Sequence, residues 1–171
     1  PPAAEPVSLA ELKEHLKITG AAEDTLLAGL LVAARQTIEA RFQIAAMPQV
    51  WRLALDAAPE APVILPLSPV LSVDAVGVTR GGVTEALPAA AYDHQTGNVG
   101  RVRVHAPVSG GDFGALVISF TAGWADAASV PEAMKLAIRI LAAHLYEHRE
   151  GEPSGPVALN AILAPFRQVR L

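Results

Sequence analysis

Five prolines fall between Pro48 and Pro69, and no long α-helix can cross that stretch, because each proline removes a backbone donor and clashes with the preceding turn. The apolar pattern changes its period at the same place. Upstream, Leu27, Leu30, Leu31, Ala34, Ile38 and Phe42 recur at three- and four-residue steps, the spacing of one helical face. From Val50 to Leu55 the period drops to two, which is a strand pattern. Helical spacing returns only after Pro131, in Met134, Ala137, Ile138, Leu141, Ala142 and Leu145. The expected fold class is therefore α+β: a helical layer from the N- and C-terminal helices, with a small antiparallel β module inserted between them. Neither helical part can bury its apolar face alone, so the two ends of the chain are expected to meet.

Punctuation residues set the expected boundaries. Ser8 and Glu11 have capping-box spacing, which predicts a first helix over about 9–17, closed by Thr19-Gly20. Glu23 and Asp24 favour the start of a second helix, about 25–46, ahead of Pro48. The β module spans about 49–121, with strands at 50–55, 70–79, 83–87, 99–105 and 115–121. Arg80-Gly81-Gly82 reads as a hairpin turn, and Gly110-Gly111 as part of a loop. Pro131 suits the first turn of a third helix, about 131–149, with Ser129 upstream as its cap. Gly151, Pro153, Gly155 and Pro156 end it, and a short helical turn over 157–163 follows. Residues 8–164 are expected as a single domain, after an arm at 1–7 that is either disordered or an extended contact, and before a tail at 165–171.

Composition excludes several classes of function. With 171 residues, 51% of them hydrophobic, the chain can bury an ordinary core without staples. It has no cysteine, which removes disulfides and thiolate metal sites and fits a reducing compartment. No window is long and apolar enough to span a membrane, and the Pro-rich start lacks the order of a signal peptide, so no membrane partner and a cytoplasmic origin are expected. A first residue other than Met points to processing or trimming. Seventeen acidic residues against 13 Lys plus Arg give a net charge of −4, the wrong sign for gripping phosphates.

The sharpest chemical motif is His144-Leu-Tyr-Glu147-His148, which fits the H-x-x-E-H pattern of inverted zinc peptidases. A zinc-dependent hydrolase using His144, Glu147 and His148 also needs a third ligand, and Glu150 and Glu152 sit beside helix-ending residues. The plainer reading is the polar last turn of an amphipathic helix, with His144, His148 and Arg149 near its negative end. No serine lies in a nucleophile elbow, and the glycine pairs lack the sequel of a phosphate loop. Arg101 and Arg103 share one face of a strand, where a solvated face is the ordinary reading and phosphate or partner carboxylates the other. Asp93 and Asn98 suit a loop touching a neighbouring subunit, and Trp51 and Trp124 suit core or hinge positions. No catalytic, cofactor-binding or metal-binding residue is assigned, and no cofactor.

Several segments, taken in order, carry a resemblance. Val7-Ser-Leu-Ala-Glu-Leu-Lys-Glu-His-Leu16, Ala33-Ala-Arg-Gln-Thr-Ile-Glu39, Trp51-Arg-Leu53 and Leu65-Pro-Leu-Ser-Pro-Val70 come first. Phe120-Thr-Ala-Gly-Trp124, Val130-Pro-Glu-Ala133, Ala142-Ala-His-Leu-Tyr-Glu-His-Arg-Glu150 and Leu163-Ala-Pro-Phe-Arg167 follow. The set resembles the head-tail connector (adaptor) proteins of long-tailed phages and of phage-like gene transfer agents. That resemblance implies a structural, non-catalytic virion protein at the head-tail junction, in a twelvefold ring of its own copies. The implied partners are the portal protein and a stopper or tail-completion protein, with DNA passing through the channel without specific binding. A tail-terminator or stopper of the same neck is the alternative within this class. The resemblance also implies that Pro165, Phe166, Arg167, Val169, Arg170 and Leu171 dock on the portal, as an apolar and basic peptide can on a groove or sheet edge.

Overall fold

The computed structural model describes residues 2–105, 108, 113–148 and 158–166. Its contacts divide the segment expected as one domain into two compact units, Pro1–Met47 with Trp124–Leu171, and Pro48–Gly123. The cuts fall within two residues of the limits that the change of period assigns to the β module. The α+β class and the antiparallel pairing stand as expected.

The first unit is helical. α1 (Leu9–Leu16) opens on the capping box: the Glu11 N–H donates to the Ser8 hydroxyl at 3.2 Å, and the Ser8 N–H donates to the Glu11 carboxylate at 2.7 Å. The Ser8 hydroxyl, which also donates to the Glu11 carboxylate, and then the Ser8 N–H hold that carboxyl below its ordinary pKa. Val7 and Leu12 occupy the two staple positions around this cap, and both are buried in one cluster. Ser8→Ala is expected to cost about 1 kcal/mol, read as a lower denaturant midpoint at unchanged slope.

α2 (Asp24–Phe42) ends four residues short of the expected 46. Gln43 takes the left-handed conformation, φ 55°, and the Glu39 carboxylate accepts the Ala46 N–H at 2.9 Å. That bond gives Ala46 a partner outside the helical ladder, so Ile44 to Met47 are buried as a connecting segment instead. α3 (Glu132–Glu147) starts with Pro131 in the cap position. Ser129 is not its cap, because its hydroxyl and N–H both donate to Asp126, each at 2.7 Å. α4 (Ala158–Leu163) leads into a 3-10 turn over Ala164–Phe166.

α2 packs on α3, α1 on both, and α4 on α3, around Leu12, Leu27, Leu31, Ile38, Met134, Ile138, Leu141, Leu159 and Leu163. Tyr146 ties α3 to the start of α2 by donating to Glu23 at 2.6 Å. Residues 5–7 are neither free nor extended away. Pro6 and Val7 are buried, and Glu5 receives Nε of Arg35 at 2.7 Å.

The second unit carries two antiparallel sheets. β1 (Gln49–Leu55), β7 (Leu116–Ala122), β3 (Val70–Arg80) and β4 (Val83–Ala86) form one, in that order. β2 (Val63–Ile64), β6 (Arg101–Val104) and β5 (Tyr92–Gln95) form the other. The β3–β4 hairpin turns at Gly81 and Gly82, whose φ values of 58° and 80° suit glycine in a two-residue turn. Along β1 and β7 one face presents Leu53, Leu55, Phe120, Ile118 and Leu116, and the other presents Val50, Arg52, Ser119 and Thr121. The apolar face supplies Leu116, Ile118 and Phe120, each at most 1% exposed.

Candidate docking site

α4 and the turn after it position the start of the C-terminal tail. Leu159 and Leu163 fill the helical core, and Pro165 is exposed. Phe166 is half-buried against the same core, and its ring meets Trp124 edge-on, with centroids 6.1 Å apart and planes at 86°. Of the six residues expected to dock, the structure thus places two, and one of those packs on its own unit. Arg167, Val169, Arg170 and Leu171 lie outside the described residues. Trp124 is half-buried and packs against the helical core, whereas Trp51 on β1 is 41% exposed.

His144 and His148 stack at the end of α3 with ring centroids 4.3 Å apart. His148 Nδ1 lies 3.1 Å from the His144 carbonyl, the geometry of a ring folded back on its own helix. His144 Nε2 is buried with no hydrogen-bond partner among the described residues, while Glu147 is exposed. Among the described residues no three potential ligands converge on one point, and Glu150 and Glu152 lie outside them.

Arg101 and Arg103 stand exposed on β6, directly opposite Gln95 and Asp93 of β5. With Pro62 and His94 these four line a shallow cavity of about 210 Å³. Asp93 lies in a strand and not in the loop expected for it. Its carboxylate meets His105 Nε2 at 2.9 Å, and this hydrogen bond raises the His105 pKa above the ordinary histidine value. A raised folded-state pKa means that the pair contributes fully below the unfolded value, about 6.5, and is lost as pH rises through the folded value. The His105 titration midpoint, followed by NMR, is expected above 6.5 and to fall in Asp93→Asn. A midpoint unmoved by that substitution would show the pair to be unimportant.

Exposed apolar residues on the second unit escaped the sequence reading. Val50 is 76% exposed on the polar face of β1, and Phe113 is 95% exposed just before β7. Val50 was legible in principle, because strict alternation from Leu53 and Leu55 assigns it to the face of Arg52.

Residues 6–79 match the family model of phage gp6-like head-tail connector proteins. Over nearly its whole length the chain also matches solved neck proteins. The chain resembles head-tail connector proteins. A chain in the neck of an empty GTA particle, computed with C6 symmetry, is 29% identical with a TM-score of 0.83, over 99% of this chain and 94% of that one. A chain in the virion of a native gene transfer agent (GTA) particle is 29% identical with a TM-score of 0.81, over 100% and 94%. A chain in the neck of a native GTA particle, computed with C12 symmetry, is 29% identical with a TM-score of 0.76, over 95% and 89%. No curated protein sequence matches. The likeness to these GTA chains runs through both units, and the connector family model matches residues 6–79.

Proposed function

We propose that this chain is a structural component of the neck of a gene transfer agent or phage particle, forming a ring between portal and tail that extends the DNA channel. The observation that carries this reading is the likeness to GTA neck chains, which covers 99% of this chain and 94% of the matched one. The matched necks were computed with sixfold and twelvefold symmetry, which suits a ring of identical copies. A ring needs two different patches on each copy, one meeting the other head to tail. The action is binding and not catalysis. A net charge of −4 suits a channel that DNA must slide through, since a basic wall would hold the phosphates.

Residues 165–171 are the proposed contact with the portal, and Phe166 within them packs on Trp124. Each tail can bind weakly, because every tail after the first docks at high effective concentration. Removing this chain from producing cells is expected to leave filled heads and finished tails unjoined. Tailed, infectious or transducing particles formed without it would overturn the proposal.

A further inference from the structure

The sheet β1-β7-β3-β4 ends in two free edges. β1 pairs with β7 and β4 with β3, and among the described residues no further strand lies along either. All four β4 residues are exposed, as are Val50, Trp51, Arg52 and Ala54 of β1. An open edge is a row of unmatched backbone donors and acceptors that proline or charged side chains, lysine above all, can blunt; β1 carries one charge, Arg52, and β4 one, Glu85. Neither strand contains lysine or proline.

The two edges are complementary to each other, because the strand count is even. Directions alternate through the sheet, so β4 runs opposite to β1. A second copy turned about an axis along the strands therefore brings its β1 beside β4 in the antiparallel sense. The hydrogen-bond phase also agrees. Thr79 N–H donates to the Ala115 carbonyl at 2.7 Å, so Thr79 and Ala115 turn their backbone groups towards each other. Alternating from there, Leu116 and Ile118 turn towards β1, and their partners Leu55 and Leu53 turn back towards β7. Ala54, between those two, points its N–H and C=O outwards. On the other side Val78 and Glu85 face each other, which leaves Thr84 and Ala86 pointing outwards.

Ala54, Val117, Gly77 and Ala86 form one row across the sheet. A neighbour's Ala54 thus meets Ala86 with free backbone groups on both and side chains on the same face. The irregularities in β3 lie between Val70 and Ala75, away from this row.

We infer that β4 of one copy pairs with β1 of the next, Ala86 opposite Ala54, so that the sheets continue from copy to copy around the ring. This rests on the connector reading and supplies its two different patches. The partner is a second copy, because an edge from an unrelated chain has no reason to match polarity, phase and level together. So short a pairing is weak singly, and it forms where a template holds neighbours in place.

The absence of native cysteine gives a clean test. A hydrogen-bonded antiparallel pair has Cα atoms about 5.5 Å apart, within disulfide reach. Particles carrying the double variant Ala54→Cys with Ala86→Cys, mildly oxidised and run without reductant, are expected to give a ladder of dimers, trimers and larger species. Either single variant is expected to stay monomeric. Particles that contain the double variant and give no ladder would overturn the pairing and leave the ring intact. Dimers from a single variant would overturn it by showing a two-fold contact. Wild-type chain absent from the neck of purified particles would overturn the connector reading itself. Should the double variant not assemble, particles holding both single variants are expected to yield dimers, and monomers alone would count against the pairing.

Discussion

Arg35→Ala is expected to destabilise the helical unit by about 3 kcal/mol or more, the range for removing one partner of a buried ion pair. Arg35 is 2% exposed in the middle of α2. Its Nε and Nη2 donate to the two oxygens of Glu5, at 2.7 and 3.1 Å, and its Nη1 donates to Glu39. Burial works against the guanidinium charge, but the bonds and charges of Glu5 and Glu39 outweigh it, so its pKa is raised. Removal takes the Arg35 bond from the Glu39 carboxylate, takes both Arg35 bonds from Glu5, and leaves a cavity beside the two carboxylates. Denaturation of Arg35→Ala should show the full loss, while Arg35→Met combined with Glu5→Gln and Glu39→Gln should recover much of it by removing the stranded charges. Equal losses in both variants would mean that packing, not pairing, is what Arg35 provides.

Deleting residues 167–171 is expected to abolish attachment to the portal while leaving the fold intact. The cut matters. Deleting from 166 also removes the ring that packs on Trp124 and on the core, which costs about 1–2 kcal/mol of burial and aromatic contact. The shorter deletion therefore separates docking from folding. Its thermal midpoint should match that of the full chain, with recovery on immobilised portal protein reduced to background. Full recovery would remove the tail from the docking account and leave the connector fold untouched.

Both residues show what the amino-acid pattern could and could not reveal. The helical faces were legible because Leu27, Leu31, Ile38, Met134, Ile138 and Leu141 bury at the predicted spacing, and burial is what sets that spacing. Arg35 was not singled out, since a charged residue on a helix reads as solvated until the segment before α1 is seen to cover it. The strands with one apolar face were legible in the same way. β5, Tyr92-Asp-His-Gln95, has no such face to read, and β2 is two residues between Pro62 and Pro66. The end of α2 was misplaced because Ile44 to Met47 are as apolar as a helix face, and only the Glu39 carboxylate and left-handed Gln43 turn them aside. Pairing order and free edges depend on contacts between distant strands, such as β1 with β7, which no local pattern encodes.

The connector reading is tested most directly by copurifying this chain with the portal protein and imaging the complex by electron microscopy. A closed ring of this chain seated on the portal, with the segment after Phe166 reaching into it, is the predicted result. A well-folded chain that fails to bind the portal, and is found in no ring at the head-tail junction of the parent particle, would contradict it.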